Sequence, residues 1–134
     1  MVEKVIIADD DPYIRGDYIK RIQNWTKDVS FIEVGDGASL VNKVRDESSQ
    51  IGKSHGGINL ILTDYRMPMS HRDEGVNGLQ AIELIRRFDK STPIVMLTDS
   101  NVANEALEAG ANRYIDRRSR NFLIELREVV LQYL

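Results

Sequence analysis

Five short runs of branched apolar residues punctuate the chain: Lys4 to Ala8, Ser30 to Val34, Ile58 to Thr63, Pro93 to Leu97, and Arg113 to Ile115. Runs of this length and composition predict strands. Three of them are nearly continuous in Val, Ile and Leu instead of alternating, which suits strands buried on both faces of a parallel sheet. Between and after them the apolar spacing becomes helical. Asp11 and Pro12 suit an N-cap and the first helical position, and Ile14, Tyr18, Ile22 and Trp25 follow at steps of four, four and three. Leu40, Val41 and Val44 mark a second helix, and Leu79, Ile82, Ile85 and Phe88 a third. Ala103 to Ala109, stopped by Gly110, gives a short fourth, and Phe122, Leu126, Val129 and Tyr133 mark a last one from Ser119 onward. Strand and helix alternate five times, which predicts an α/β fold: a doubly wound, five-stranded parallel sheet with helices on both faces. Trp25 and the Leu and Ile stripes read as core, and the Ser- and Gly-rich piece from Ser48 to Gly57 as a loop.

Composition narrows the function classes. At 134 residues the chain reads as one domain over 1–134, with 42% hydrophobic and 29% charged residues, too apolar for a disordered chain. A net charge of −3 supplies no positive field, so direct nucleic-acid binding is not expected. The absence of cysteine excludes disulfides, thiolate metal sites and thiol catalysis. The apolar runs are too short to span a membrane, and the chain opens on a strand-like run in place of a signal peptide, so a cytoplasmic location is expected.

In an open parallel sheet, ligands bind beyond the carboxyl ends of the strands. The first predicted strand ends in Asp9-Asp10-Asp11, the third in Asp64, the fourth in Thr98, and the fifth leads through Asp116 to Arg117. Asp11 before Pro12 serves as a helix cap, but a cap needs one carboxylate and here there are three. Carboxylates gathered at one rim repel one another, and Mg²⁺, which takes oxygen ligands and few protein carboxylates, is the matching cation. A hydroxyl and a cation opposite them suit the oxygens of a phosphoryl group.

Four segments carry a family resemblance: Val5-Ile6-Ile7-Ala8-Asp9-Asp10-Asp11-Pro12, Leu62-Thr63-Asp64-Tyr65-Arg66-Met67-Pro68, Thr92-Pro93-Ile94-Val95-Met96-Leu97-Thr98, and Gly110-Ala111-Asn112-Arg113-Tyr114. In this order they resemble the receiver domain of two-component response regulators, over essentially the whole chain. The resemblance implies a flavodoxin-like (βα)5 fold and a signalling role in a phosphorelay, not an enzyme. It implies that Asp64 accepts phosphorus from a phosphohistidine on a sensor histidine kinase or histidine phosphotransfer protein. Mg²⁺ would be held by Asp10, Asp64 and the main-chain carbonyl of Arg66, with Asp9 acting mainly through a metal-bound water. Thr98 would move toward the phosphoryl oxygens with Tyr114 following as the switch, and Arg117 would supply the cation. The signal would pass to a downstream protein partner or output domain, the chain being either a stand-alone regulator or part of a longer protein.

The pattern breaks in three places. The usual Lys-Pro after the fifth strand is here Arg117-Arg118. Arg keeps the charge but is longer and forked, and without proline a cis bond costs ~3 to 4 kcal/mol, so this loop is expected to be trans. Asp99 replaces the small residue that usually follows Thr98. It either repels a phosphoryl group unless Arg117 or another cation pairs with it, or points to solvent and caps the fourth helix, which looks short for the family. Nine residues separate Pro68 from Gly78, six more than usual, centred on Ser70-His71-Arg72-Asp73-Glu74-Gly75. That loop and the exposed half of the last helix are expected partner surfaces. His55 and His71 lack a second His or Cys at ligand spacing, so no transition-metal site is expected. Two alternatives stand beside the receiver reading. One is a pseudo-receiver that signals without phosphorylation. The other is a haloacid-dehalogenase-type phosphohydrolase with Asp9 as nucleophile and Asp11 as acid/base.

Overall fold

Strand and helix alternate along the whole chain in the computed structural model, which describes residues 2–48, 57–67 and 75–134. The elements are β1 (Glu3–Ala8), α1 (Pro12–Trp25), β2 (Val29–Val34), α2 (Gly37–Ser48), β3 (Leu60–Thr63), α3 (Gly78–Arg86), β4 (Ile94–Thr98), α4 (Ala103–Ala109), β5 (Arg113–Asp116) and α5 (Phe122–Tyr133). All paired strands are parallel, in the order β2-β1-β3-β4-β5. The α/β, doubly wound, five-stranded architecture expected from the sequence is the one observed.

Position in the sheet explains the apolar runs. β1, β3 and β4 lie inside, so β3 and β4 are buried throughout and β1 over its last four residues, while the edge strands β2 and β5 stay mostly half-exposed. Successive residues of one strand feed opposite faces. Ile6 and Ala8 join Leu40, Val44, Ile82 and Ile85 under α2 and α3. Val5 and Ile7 join Tyr18, Ile22, Leu126 and Val129 under α1 and α5. Each fully buried Ile or Leu contributes about 1.5 to 3 kcal/mol, so both faces hold the sheet.

The helix ends follow local chemistry. Asp11 accepts from the Tyr13 N–H at 2.9 Å as N-cap of α1, with Pro12 behind it. Asn77 and Gln80 form a reciprocal capping box on α3. Gly110 ends α4 with φ +120°, in the region glycine favours. No described helix is long and apolar enough to cross a membrane.

Several expectations need adjusting. α3 stops at Arg86, before Phe88, where the backbone tightens to i→i−3 bonds from the Arg87 N–H to the Leu84 carbonyl at 3.2 Å and from the Phe88 N–H to the Ile85 carbonyl at 3.0 Å. Phe88 lies under the Arg45 guanidinium, 5.0 Å from its centroid, instead of in the core. Trp25 is half-buried against the α1 side of the core. α5 begins at Phe122, since Ser119 to Asn121 form turns. The Ser48 to Gly57 loop over 49–56, with His55, and the inserted residues 68–74, with His71, lie outside the described residues.

Asp89 sets the entry to β4. Its carboxylate accepts from the Ser91 N–H at 3.1 Å and from the Thr92 N–H at 3.0 Å and hydroxyl at 2.5 Å. Burial pushes its pKa up, but the Thr92 and Ser91 hydrogen bonds and the Arg86 charge outweigh this and hold it below 3.8. A depressed carboxylate adds stability that is present above its unfolded value and is lost as pH falls through its folded value. Asp89→Asn is therefore expected to cost about 1 to 2 kcal/mol at neutral pH, and to flatten the acid limb of the stability curve. Urea unfolding across the acidic range checks both.

Candidate functional site

The strand order reverses between β1 and β3, so the chain leaves β1 for one face of the sheet and β3 for the other. That leaves a cleft at their carboxyl ends. Ala8 pairs with Thr63, and the Asp64 N–H bonds the Ala8 carbonyl at 2.9 Å, which places Asp9 and Asp64 side by side. Asp10 completes a cluster in which one oxygen of each carboxylate lies within 4.8 Å of the others.

Main-chain donors aim these groups. Asp9 Oδ1 accepts from the Asp11 N–H at 2.9 Å, and Asp64 Oδ1 from the Tyr65 N–H at 2.7 Å. Both residues are buried while Asp10 is exposed. Burial pushes Asp9 up to about 7, helped by the Asp64 and Asp10 charges and opposed by the Asp11 N–H and Arg117. Burial also raises Asp64, against the Thr98 hydroxyl, Arg117 and the Tyr65 N–H. Two buried carboxylates whose ionised forms are disfavoured by burial, with a third carboxylate beside them, supply hard oxygen donors that fit a small divalent cation such as Mg²⁺.

The cation present is Arg117. Its N–H donates to the Thr98 carbonyl at 3.0 Å, which brings the side chain back over the cleft. Nη1 donates to Asp9 Oδ2 at 3.2 Å, and Nη2 lies 3.9 Å from Asp64 Oδ2 and 3.8 Å from Asp99 Oδ1. Burial works against the guanidinium's charge, but Tyr18 and the carboxylates outweigh it and keep its pKa raised. As expected without proline, the turn into Arg117 is trans, no cis peptide being present among the described residues.

Thr98 is fully buried, and its Oγ1 accepts from the Ser100 N–H at 3.3 Å. The Tyr114 hydroxyl donates to the Ser100 carbonyl, so Tyr114, Ser100 and Thr98 form one hydrogen-bonded chain leading to Asp64. Arg66, two residues beyond Asp64 at the same rim, has an exposed side chain. Asp99 does not cap α4: Val102 occupies that position and makes no side-chain cap bond. Asp99 is 59% exposed, as the solvent-facing reading expects, and its Oδ1 also lies 3.8 Å from Arg117 Nη2, as the pairing reading expects.

Three contributors escaped the sequence reading. Tyr18 was placed in the core stripe, and its ring is buried, but its hydroxyl lies beside the Arg117 guanidinium without a strict hydrogen bond, and burial raises its pKa to about 12. Arg15 donates to the Asp9 carbonyl at 2.6 Å and to Glu33 at 3.1 Å, bracing the turn after β1. Gly78 brings α3 against the turn after β3: its N–H bonds the Tyr65 carbonyl at 2.8 Å, and a Cβ there would lie 2.0 Å from the Asp64 carbonyl oxygen. Only the spacing of Gly78 after Asp64 hinted at this in the sequence.

Comparison with known proteins agrees with this geometry. The response regulator receiver domain family matches residues 5–126. The chain is 27% identical over 120 residues to the alkaline phosphatase synthesis transcriptional regulatory protein SphR of Synechococcus elongatus, covering 85% of this chain and 42% of that protein. The chain thus spans less than half the length of that relative. The signal receiver domain of the NarL regulator of Mycobacterium tuberculosis superposes with a TM-score of 0.75 at 21% identity, covering 98% of this chain and 94% of that one. The receiver domain of the sensor histidine kinase PA1611 of Pseudomonas aeruginosa, which has magnesium coordinated in its active-site cleft, gives 0.75 at 19% identity, covering 99% and 98%. With the family matched from β1 into α5 and the acidic cleft at its switch point, this chain belongs to the response regulator receiver domain family.

Proposed function

We propose that the chain is a phosphorylatable receiver in a two-component phosphorelay, with Asp64 as the acceptor, Mg²⁺ as cofactor, and a sensor histidine kinase or histidine phosphotransfer protein as donor. The observation that carries this reading is the placement of Asp64: a buried carboxylate at the switch point, flanked by Asp9 and Asp10 and faced by Thr98 and Arg117.

In this reading Asp64 Oδ2, the oxygen not bonded to Tyr65 N–H, attacks phosphorus. The P–N bond to the donor imidazole breaks, its electron pair returns to the ring nitrogen, and an acyl phosphate forms on Asp64. Asp10, Asp64 and the Arg66 carbonyl would hold the metal, with Asp9 acting through water; magnesium in the cleft of the PA1611 receiver domain supports the assignment. A bound divalent ion offsets charge on the transferred phosphoryl oxygens. Arg117 adds positive charge from the β5 side. A Thr98 hydroxyl drawn to those oxygens gives up Ser100, which also holds Tyr114, so one new hydrogen bond biases the position of the aromatic side chain. The reader of that change is a downstream protein partner or output domain.

Against the hydrolase alternative, the Asp11 carboxylate accepts the Tyr13 N–H as the cap of α1, a structural role that accounts for it without acid/base chemistry. The pseudo-receiver alternative draws on one observation: Arg117 already neutralises Asp9 without a metal.

Incubation with Mg²⁺ and acetyl phosphate is expected to add one phosphoryl group by intact mass, and Asp64→Asn or chelation to abolish the adduct. An unlabelled wild type, under conditions that label another receiver, would establish the pseudo-receiver reading instead. A second expectation concerns charge. Because the folded-state pKa of Asp9 is raised from 3.8 to about 7, metal-free protein loses stability as pH rises through that window. Asp9→Asn should escape this loss and be more stable than wild type above neutrality by about 1 to 2 kcal/mol in chelator, the order reversing in Mg²⁺. Denaturant melts with and without the ion read the crossover.

A further inference from the structure

Asp99 and Arg117 both depart from the receiver pattern, and the sheet makes them neighbours. Thr98 pairs with Asp116 across β4 and β5, and the Arg117 N–H is tied to the Thr98 carbonyl at 3.0 Å. The next residue of each strand therefore faces the other. Among the described residues, Arg117 is the only cation within 4.0 Å of Asp99.

The guanidinium spans three carboxylates of different accessibility. Nη1 is committed to Asp9 at 3.2 Å, whose side chain is 1% exposed. Nη2 stands between Asp64 at 3.9 Å, 6% exposed, and Asp99 at 3.8 Å, 59% exposed. The fork is rigid and planar, so the nitrogen facing Asp64 is the one Asp99 shares.

We propose that Asp99 is a positioning residue that competes with Asp64 for Nη2 of Arg117, and so sets how tightly the cleft holds a phosphoryl group; this rests on the reading of Asp64 as the acceptor. A phosphoryl group replaces one negative charge by nearly two and offers several acceptor oxygens. With Nη1 engaged by Asp9, Nη2 is the terminal nitrogen placed between Asp64 and Asp99, and drawing it inward carries it away from Asp99. The carboxylate of Asp99 is then left without its cation beside a dianion. A residue at the surface thereby tunes a buried site, through Arg117 and not by its own field alone. A lysine, with one compact ammonium on a flexible stem, has no rigid second nitrogen to share between Asp64 and Asp99.

Binding of beryllofluoride, a phosphoryl mimic, to the full chain with Mg²⁺ tests this in four proteins: wild type, Asp99→Asn, Arg117→Lys and the double variant. Calorimetry is expected to show Asp99→Asn tightening the mimic by roughly threefold to tenfold in the wild-type background and by less than twofold in the Arg117→Lys background. An equal gain in both would mean plain repulsion, and no gain in the first would mean no competition; either overturns the proposal. Nitrogen-15 spectra of the arginine side chains give a second reading that needs no mimic. Asp99→Asn should shift the Arg117 guanidinium signals in metal-free protein as it settles toward Asp64, and unchanged signals overturn the proposal even if Arg117→Lys binds nothing. Failure of the underlying reading shows separately, as mimic binding that survives Asp64→Ala, and it overturns both.

Discussion

Like charge confined at the edge of an apolar sheet is the constraint on which this molecule is built. Parallel pairing of β1 with β3 sets Asp9 beside Asp64, and burial denies both the water that would screen them. Two unit charges ~4 Å apart at an effective dielectric near 20 interact by about 4 kcal/mol, a large fraction of a small domain's net stability. The carboxylates therefore need proton, metal or arginine, and each remedy has a different consequence. A proton removes the charge, a metal would share it among oxygen ligands, and Arg117 meets it with a guanidinium.

Arg117 answers that demand from far away in the chain. It enters from the far edge strand, crosses the mouth of β4, and meets a residue 108 positions earlier. In doing so it gathers side chains from four places in the fold: Asp9 after β1, Tyr18 on α1, Asp64 after β3 and Asp99 after β4. A forked, planar cation makes these links directional. The same geometry that stabilises the acidic rim also makes its neighbours sensitive to where the fork points.

Most of the fold was legible because burial writes itself into apolar spacing. The unbroken Ile and Leu of β3 and β4 and the partial exposure of β2 and β5 correspond to inner and edge places in the sheet. Periodicity reports which side of a helix is buried but not what the polar tip of a buried residue touches, so Tyr18 read as core while its hydroxyl stands beside Arg117. It also overran α3 to Phe88, where a chain turn and the Arg45 guanidinium outweigh an apolar side chain's preference for the core. The acidic cluster could be inferred from strand ends alone, whereas the partners of Asp99 depend on register between β4 and β5, which no local pattern encodes.

Ahead of α3, the backbone at Val76 and at Gly78 is held unusually close to its neighbours. A Cβ at Gly37 would lie 2.0 Å from the Val76 carbonyl oxygen, and one at Gly78 equally close to that of Asp64. Two side-chain-free seats thus pin the polypeptide against α2 and against β3 on either side of Asn77. This double anchorage works as a mechanical ground. A change of length upstream of Val76 is thereby taken up before it reaches Asp64, so the polypeptide beside that carboxylate can vary while the turn that carries it stays fixed.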